Sequence, residues 1–144
     1  MEPVSEQVRE WTLATDVQGI ATVVDEIVSL CRAAGFSTRH CQLNVPVAVT
    51  EALANAMLRG NGNRANARVF VLAVVSEVRL QVEVTDEGPG FDLAAIVQSP
   101  QEPDWFERER GRGVFLMRSL MDRVESDRLD HPRGHRLRLT LKRA

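Results

Sequence analysis

Long apolar runs are missing from this chain of 144 residues: nowhere do about 18 consecutive apolar residues occur, as a membrane-crossing helix needs. Met1 to Glu10 carries acidic groups and no apolar stretch of signal-peptide length, so a cytoplasmic protein with no membrane partner is expected. Metal-site and redox spacings are also missing. Cys31 and Cys41 read as buried free thiols in a reducing compartment. Charge of either sign is nearly balanced at −2, which gives no strong pull toward nucleic acid, and no direct nucleic-acid contact is expected. Lysine is all but absent: among 18 basic residues only Lys142 is one, and the arginines supply permanently charged planar forks for phosphates and carboxylates. No repeat is visible at periods of about 20 to 50 residues, which argues against a solenoid. The length suits one domain, taken as 1–144, around a single core.

What is present reads as alternating helix and strand patterns. Residues 8–14 predict a short strand. Asp16 is placed to cap a helix over 17–34, whose apolar set Ile20, Val23, Val24, Ile27, Val28 and Cys31 has helical spacing and which Gly35 can end. Ser37 to Gln42 reads as a connection or a loose first turn, Asn44 as the cap of the next helix, and Pro46 as a tolerated first-turn residue. That helix runs to Gly60. The stretches 68–75 and 78–85 predict a hairpin turning near Ser76-Glu77, the second strand alternating Val78, Leu80, Val82, Val84 against polar residues. Asp92 is expected to cap a short helix through Val97. Residues 98–112, with two prolines and many charges, predict a mobile loop. Its Trp105 and Phe106 fit either an anchor over a ligand or partner, or local packing. Residues 113–123 predict a helix, and 124–129 with 135–141 a second hairpin. His40, His131 and His135 lack ligand spacing and read as surface residues.

Three segments can carry chemistry. Glu51, Asn55 and Arg59 recur every four residues and form one polar stripe on an otherwise apolar helix that stops at Gly60. A carboxylate one turn from an amide can accept a proton while the amide oxygen serves as a hard ligand for magnesium, or the pair can simply face solvent. Asp86-Glu87-Gly88-Pro89-Gly90 follows a strand. Its carboxylate can select an adenine amino group and its glycines let a flat ring approach the backbone, or the segment is a tight turn. Gly111-Arg112-Gly113 precedes the third predicted helix. Its amides, with Arg110 and Arg112, suit a phosphate, or the glycines are a flexible cap.

In this order the three segments resemble the nucleotide-binding domain shared by gyrase, the ninety-kilodalton heat-shock chaperone, histidine kinases and the DNA-mismatch ATPase. Within that superfamily the chain is most similar to the anti-sigma-factor serine/threonine kinases of bacterial partner-switching systems. The likeness rests on Val49-Thr50-Glu51-Ala52-Leu53-Ala54-Asn55-Ala56, then on 86–91, then on 111–118. It implies a two-layer α/β sandwich of the Bergerat, histidine-kinase-like type, with a mixed, mostly antiparallel sheet covered by helices on one face. It further implies ATP or ADP and Mg2+ as cofactors, Asn55 as the metal ligand and Glu51 as the catalytic base. Asp86 would bond adenine, Gly88 and Gly90 would line the base pocket, and Gly111 to Gly113 would close over the phosphates. The implied partners are an anti-sigma-factor antagonist of the STAS type, phosphorylated on serine or threonine, and a sigma factor; homodimerisation is implied as well. Where the family has histidine, this chain has Arg59, which cannot exchange a proton near neutral pH and is left to contact phosphate, pair with an acidic neighbour or point outward. The alternative is a switch module of the same fold that acts by stoichiometric binding alone.

Overall fold

The computed structural model of the protein describes residues 5–90 and 109–144, and for 109–112 the backbone alone. Five strands, β1 (Gln7–Ala14), β2 (Arg68–Val75), β3 (Arg79–Asp86), β4 (Arg123–Asp130) and β5 (Arg133–Lys142), form one sheet in the order β1-β2-β3-β5-β4. The sheet expected to be mostly antiparallel is, among the described residues, antiparallel throughout.

Side chains alternate along each strand, and the register stacks the apolar ones on one face. Val84 lies opposite Leu137, Val82 opposite Leu139 and Leu80 opposite Leu141, all buried. Three helices cover that face. The helix α1 (Ile20–Ala33) contributes Ile20, Val23, Val24, Ile27 and Cys31; α2 (Val45–Asn55) contributes Val45, Ala48, Val49, Ala52 and Leu53; α3 (Glu109–Leu120) contributes Val114 and Met117. Each fully enclosed aliphatic side chain adds roughly 1.5–3 kcal/mol before entropy is charged against it. The opposite face is mixed: Phe70, exposed, stands near a charge ladder in which Arg138 lies 2.8 Å from Glu83 and Arg136 lies 3.1 Å from Asp127.

Local chemistry explains the element ends, and in several places shifts them from the expected positions. Asp16 accepts the Gln18 N–H at 3.0 Å and opens a short 3-10 turn, Val17–Gly19, ahead of α1. Gly35 takes φ +89°, the left-handed geometry that stops a helix without a Cβ penalty. The next helix starts earlier than its sequence suggests. Ser37 Oγ accepts the His40 N–H at 3.1 Å, and a π-wound turn, His40–Asn44, leads directly into α2. Asn44 is therefore inside a helix, not capping one; its amide donates to the Leu120 carbonyl at 2.8 Å and satisfies the far end of α3 instead. A second π-wound turn, Ala56–Gly60, ends the helix.

The third helix also starts early. It begins at Glu109, so Gly111 and Gly113 sit within its first turns and not in a loop ahead of it, and it stops at Leu120. The second hairpin is tighter than expected, with only residues 131–132 between β4 and β5. The predicted helix from Asp92 to Val97, most of the predicted loop, Trp105 and Phe106 lie outside the described residues. Among the described residues no helix is long and apolar enough to cross a membrane.

Candidate functional site

The site forms where the end of α2 and its π-wound extension meet the ends of β3 and β5. A narrow cleft is lined there by Ala52, Asn55, Ala56, Arg59, Gly60, Val84, Asp86, Gly90, His135 and Leu137. Its walls are apolar where Ala52, Ala56, Val84 and Leu137 face each other. Its polar groups are few and convergent, as in pockets that take a flat heterocycle.

Asp86 is the last residue of β3 and is buried, with 4% exposure. Its Oδ1 accepts the Gly88 N–H at 2.8 Å, which fixes the carboxylate within the turn that follows. Three segments converge on it with no room for side chains. A side chain at Gly60 would collide with the Asp86 carboxylate, and one at Gly88 would collide with the Gly60 carbonyl. Gly90 has φ +75°, and a Cβ there would stand 2.7 Å from the His135 ring. The glycines at 88 and 90 are therefore required by close approach, and only Gly90 of the two lines the cleft itself.

Glu51 and Asn55 lie one turn apart on α2 and meet α3 at Gly113. A Cβ on Gly113 would be 2.9 Å from Glu51 Oε2 and 3.1 Å from Asn55 Nδ2, so carboxylate and amide flank a single point that a side chain would fill. Glu51 is half-buried and Asn55 lines the cleft. The Asn55 Nδ2 is buried and has no hydrogen-bond partner among the described residues. Leaving a buried amide unmatched costs about 1–3 kcal/mol, a burden that proteins tolerate mainly at functional sites. Arg59, one further turn along, is exposed on the rim. The backbone of Arg110, Gly111 and Arg112 belongs to the first turns of α3; the side chains of Arg110 and Arg112 lie outside the described part.

Among the described residues no three His, Cys, Asp or Glu side chains cluster as a metal cage. Magnesium is commonly held by one or two protein oxygens together with phosphates and water, and the unmatched Asn55 amide, whose carbonyl takes the same place when the group turns over, fits that habit. The arrangement offers an acceptor for a ring amine, a hard oxygen for a cation, and a carboxylate beside it.

Two residues of the site escaped sequence reasoning. His135, read as a surface residue, is buried at 3% exposure, lies opposite Asp86 in the β3–β5 register, and lines the cleft. The signal was there: His135, Leu137, Leu139 and Leu141 alternate on one strand face. Asn61, just beyond the predicted helix end at Gly60, is fully buried and holds three segments together. Its Nδ2 donates to Thr15 Oγ1 at 3.1 Å and to the Arg68 carbonyl at 3.0 Å, and its Oδ1 accepts the Glu87 N–H at 2.8 Å.

An antiparallel sheet under three helices, with a carboxylate at a strand end and an asparagine on the facing helix, defines a histidine-kinase-like ATPase domain. The chain belongs to that family: residues 13–141 match the model of the histidine kinase-like ATPase domain. Within it, the chain is similar to the serine-protein kinase RsbW of Oceanobacillus iheyensis, 32% identical over 96 residues that make up 63% of this chain and 60% of that protein. It is also similar to the anti-sigma F factor of Clostridium acetobutylicum, 35% identical over 88 residues, 59% of this chain and 61% of the relative. The serine-protein kinase RsbW of Bacillus subtilis is 36% identical over 86 residues, 56% and 54% of the two chains. The matched stretch thus spans about three fifths of the length of the first two of these curated relatives. Among solved structures the mycobacterial sensor histidine kinase MprB shares the fold, with a TM-score of 0.52 at 14% identity over 96% of this chain and 97% of that one.

Proposed function

We propose that the protein is an ATP-dependent protein serine/threonine kinase of the anti-sigma-factor type, a single ATP-binding domain over residues 1–144. It phosphorylates an anti-sigma-factor antagonist of the STAS class and sequesters a sigma factor, acting in the cytoplasm as a homodimer. The observation that carries this reading is the convergence of Asn55 and Asp86 on one cleft, with Glu51 a turn away beside the same Gly113. The printed names of the relatives, serine-protein kinase and anti-sigma F factor, support the choice of reaction and partner.

In this reading Asp86 accepts a hydrogen bond from the adenine amino group, Gly90 keeps the backbone clear of the ring, and Gly88 lets the turn close against Gly60 behind it. Asn55 is the ligand for Mg2+, which when bound neutralises phosphate charge. Glu51 takes the proton of the substrate hydroxyl as its oxygen attacks the γ-phosphorus, while the bond to the β-phosphate oxygen breaks and ADP leaves. The early α3 amides at Gly111 and the guanidinium groups of Arg110 and Arg112 balance charge on the transferred group, Gly113 leaves room for it beside Glu51 and Asn55, and Arg59 closes the rim.

Labelled ATP mixed with the protein and an antagonist tests the chemistry. Glu51→Gln is expected to lower transfer by about a hundredfold or more while ADP still binds, because general-base assistance contributes on that scale. Asn55→Ala is expected to abolish the magnesium dependence of ATP binding. Full transfer by the Glu51 variant would remove the proposed base, and no transfer by the unaltered protein would leave stoichiometric binding as the function.

A further inference from the structure

The open face of the sheet carries a second polar cluster, far from the cleft. At the end where β3 begins and β5 finishes, a concavity is lined by Arg79, Arg123, Lys142 and Arg143, with Glu77 and Glu125 beside them. Asp86 and its cleft lie at the other end of β3, roughly 20 Å away at the rise of a strand, and on the helix-covered face. The two places are therefore independent.

Strand register explains how the cluster arises. Residues two apart share a face, so the open face is built of rows that cross β3, β5 and β4. In one row, Glu83, Arg138 and Glu125, the signs alternate, and Arg138 lies 2.8 Å from Glu83. The next row is Gln81, Thr140 and Arg123, and beyond it Arg79 stands opposite Lys142. Like charges directly opposed across a ladder repel, and among the described residues neither the Arg79 nor the Lys142 side chain forms an ion pair. The nearby carboxylates are turned elsewhere. Glu125 is 3.8 Å from Arg123, and Asp122 accepts the Lys142 backbone N–H at 2.6 Å.

Thr140 sits at the centre of these cations. It is 6% exposed although none of the three helices covers this face, so side chains of the neighbouring strands close over it. Its Oγ1 is buried and has no hydrogen-bond partner among the described residues, and Gln81 directly opposite adds a half-buried amide. An unmatched buried hydroxyl calls for a partner, and the long, exposed arms around it can part to admit one. Those arms supply positive charge, while the hydroxyl and the amide supply neutral donors. A carboxylate offers two oxygens to such a set. A phosphate offers three or more, with nearly two negative charges near neutral pH, and so engages donors from three strands at once.

We propose that this concavity is a second binding site, for the phosphate group of a small ligand: Arg79, Arg123 and Lys142 neutralise its charge, and the Thr140 hydroxyl and the Gln81 amide donate to its oxygens. The site does not depend on the nucleotide reading of the cleft.

The test is calorimetric titration of the full chain with inorganic phosphate and with phenyl phosphate, a small ester, against chloride at matched ionic strength. The same titrations are run on Thr140→Val, on Thr140→Ser and on the double variant Arg79→Gln with Lys142→Gln, and thermal melts confirm that each is folded. The unaltered protein is expected to bind at least one of the two probes, the tighter one marking free phosphate or an ester as the ligand chemistry. Thr140→Val, which keeps the shape and removes the hydroxyl, is expected to bind about tenfold more weakly, Thr140→Ser to retain binding, and the double variant to lose about a hundredfold or more. Excess Mg-ADP should leave these differences unchanged. Heat no greater than the chloride control, or full binding by Thr140→Val or by the double variant, would overturn the proposal. Displacement of the surviving phosphate by Mg-ADP would then assign it to the cleft, with the function proposed above still standing.

Discussion

Asn61 shows how much of the site depends on one polar side chain that touches no ligand. Its three hydrogen bonds join the end of β1, the start of β2 and the turn after Asp86. Asn61→Ala strands the Glu87 N–H and the Arg68 carbonyl, and is expected to cost about 2–4 kcal/mol of stability in urea denaturation. Cys31 makes a different prediction. Burial, and then the neighbouring Cys41, push its thiol from 9.0 up to about 12. The unfolded chain therefore releases this proton first, so stability from keeping the thiol neutral is complete below pH 9 and declines as pH rises toward 12. With no tyrosine and a single lysine in the chain, few other groups change charge in that window. Denaturation curves on either side of pH 9 should show the loss, and Cys31→Ala should flatten it. At this scale the sequence revealed the residues with distinctive chemistry, Glu51, Asn55 and Asp86, and concealed those whose role is set by burial. Histidine and asparagine have no fixed preference for inside or outside, so Asn61 became legible only with its neighbours in place, and for His135 strand alternation signals burial but not its place beside Asp86.

Elements were legible wherever a period ran long enough to read. All five strands and the three helices occur close to their expected places, because alternation and helical spacing both report which face is buried. The largest misreadings fall at helix starts. Asn44 has the chemistry of a cap, but Ser37 opens the helix upstream and leaves Asn44 to serve α3. Asn44→Ala is accordingly expected to loosen the last turn of α3 and not the first turn of α2, costing about 1 kcal/mol, with faster amide exchange confined to the residues that follow Met117. Gly111 and Gly113 resemble a loop because glycine disfavours helix interiors, yet Gly113 lies in α3 where a methyl group would meet Glu51 and Asn55. Close approach between two helices outweighs intrinsic propensity there. The π-wound turn from Ala56 to Gly60 is placed where the helix enters the cleft, and no local composition distinguishes it from ordinary helix.

For the molecule as a whole, the cleft couples ligand binding to stability. A nucleotide that binds only the folded chain should add about 2.7 kcal/mol at a hundredfold excess over its Kd, raising the melting temperature with added Mg-ADP. Asp86→Asn is expected to abolish that rise while leaving the melting temperature without nucleotide within a few degrees, since Asn keeps an acceptor for the Gly88 N–H but not the charge. The individual helices and strands were legible from patterning and the two-layer architecture from the family resemblance; patterning did not reveal the joining of three distant segments into one cleft, because register between β3 and β5 depends on contacts 49 residues apart, from Asp86 to His135. That register also places the two sides of the cleft on opposite sides of the short 131–132 turn. A chain severed at this turn would carry Asp86 on one fragment and His135 on the other, so nucleotide would act as a glue between them, and reassembly of the halves would report its concentration.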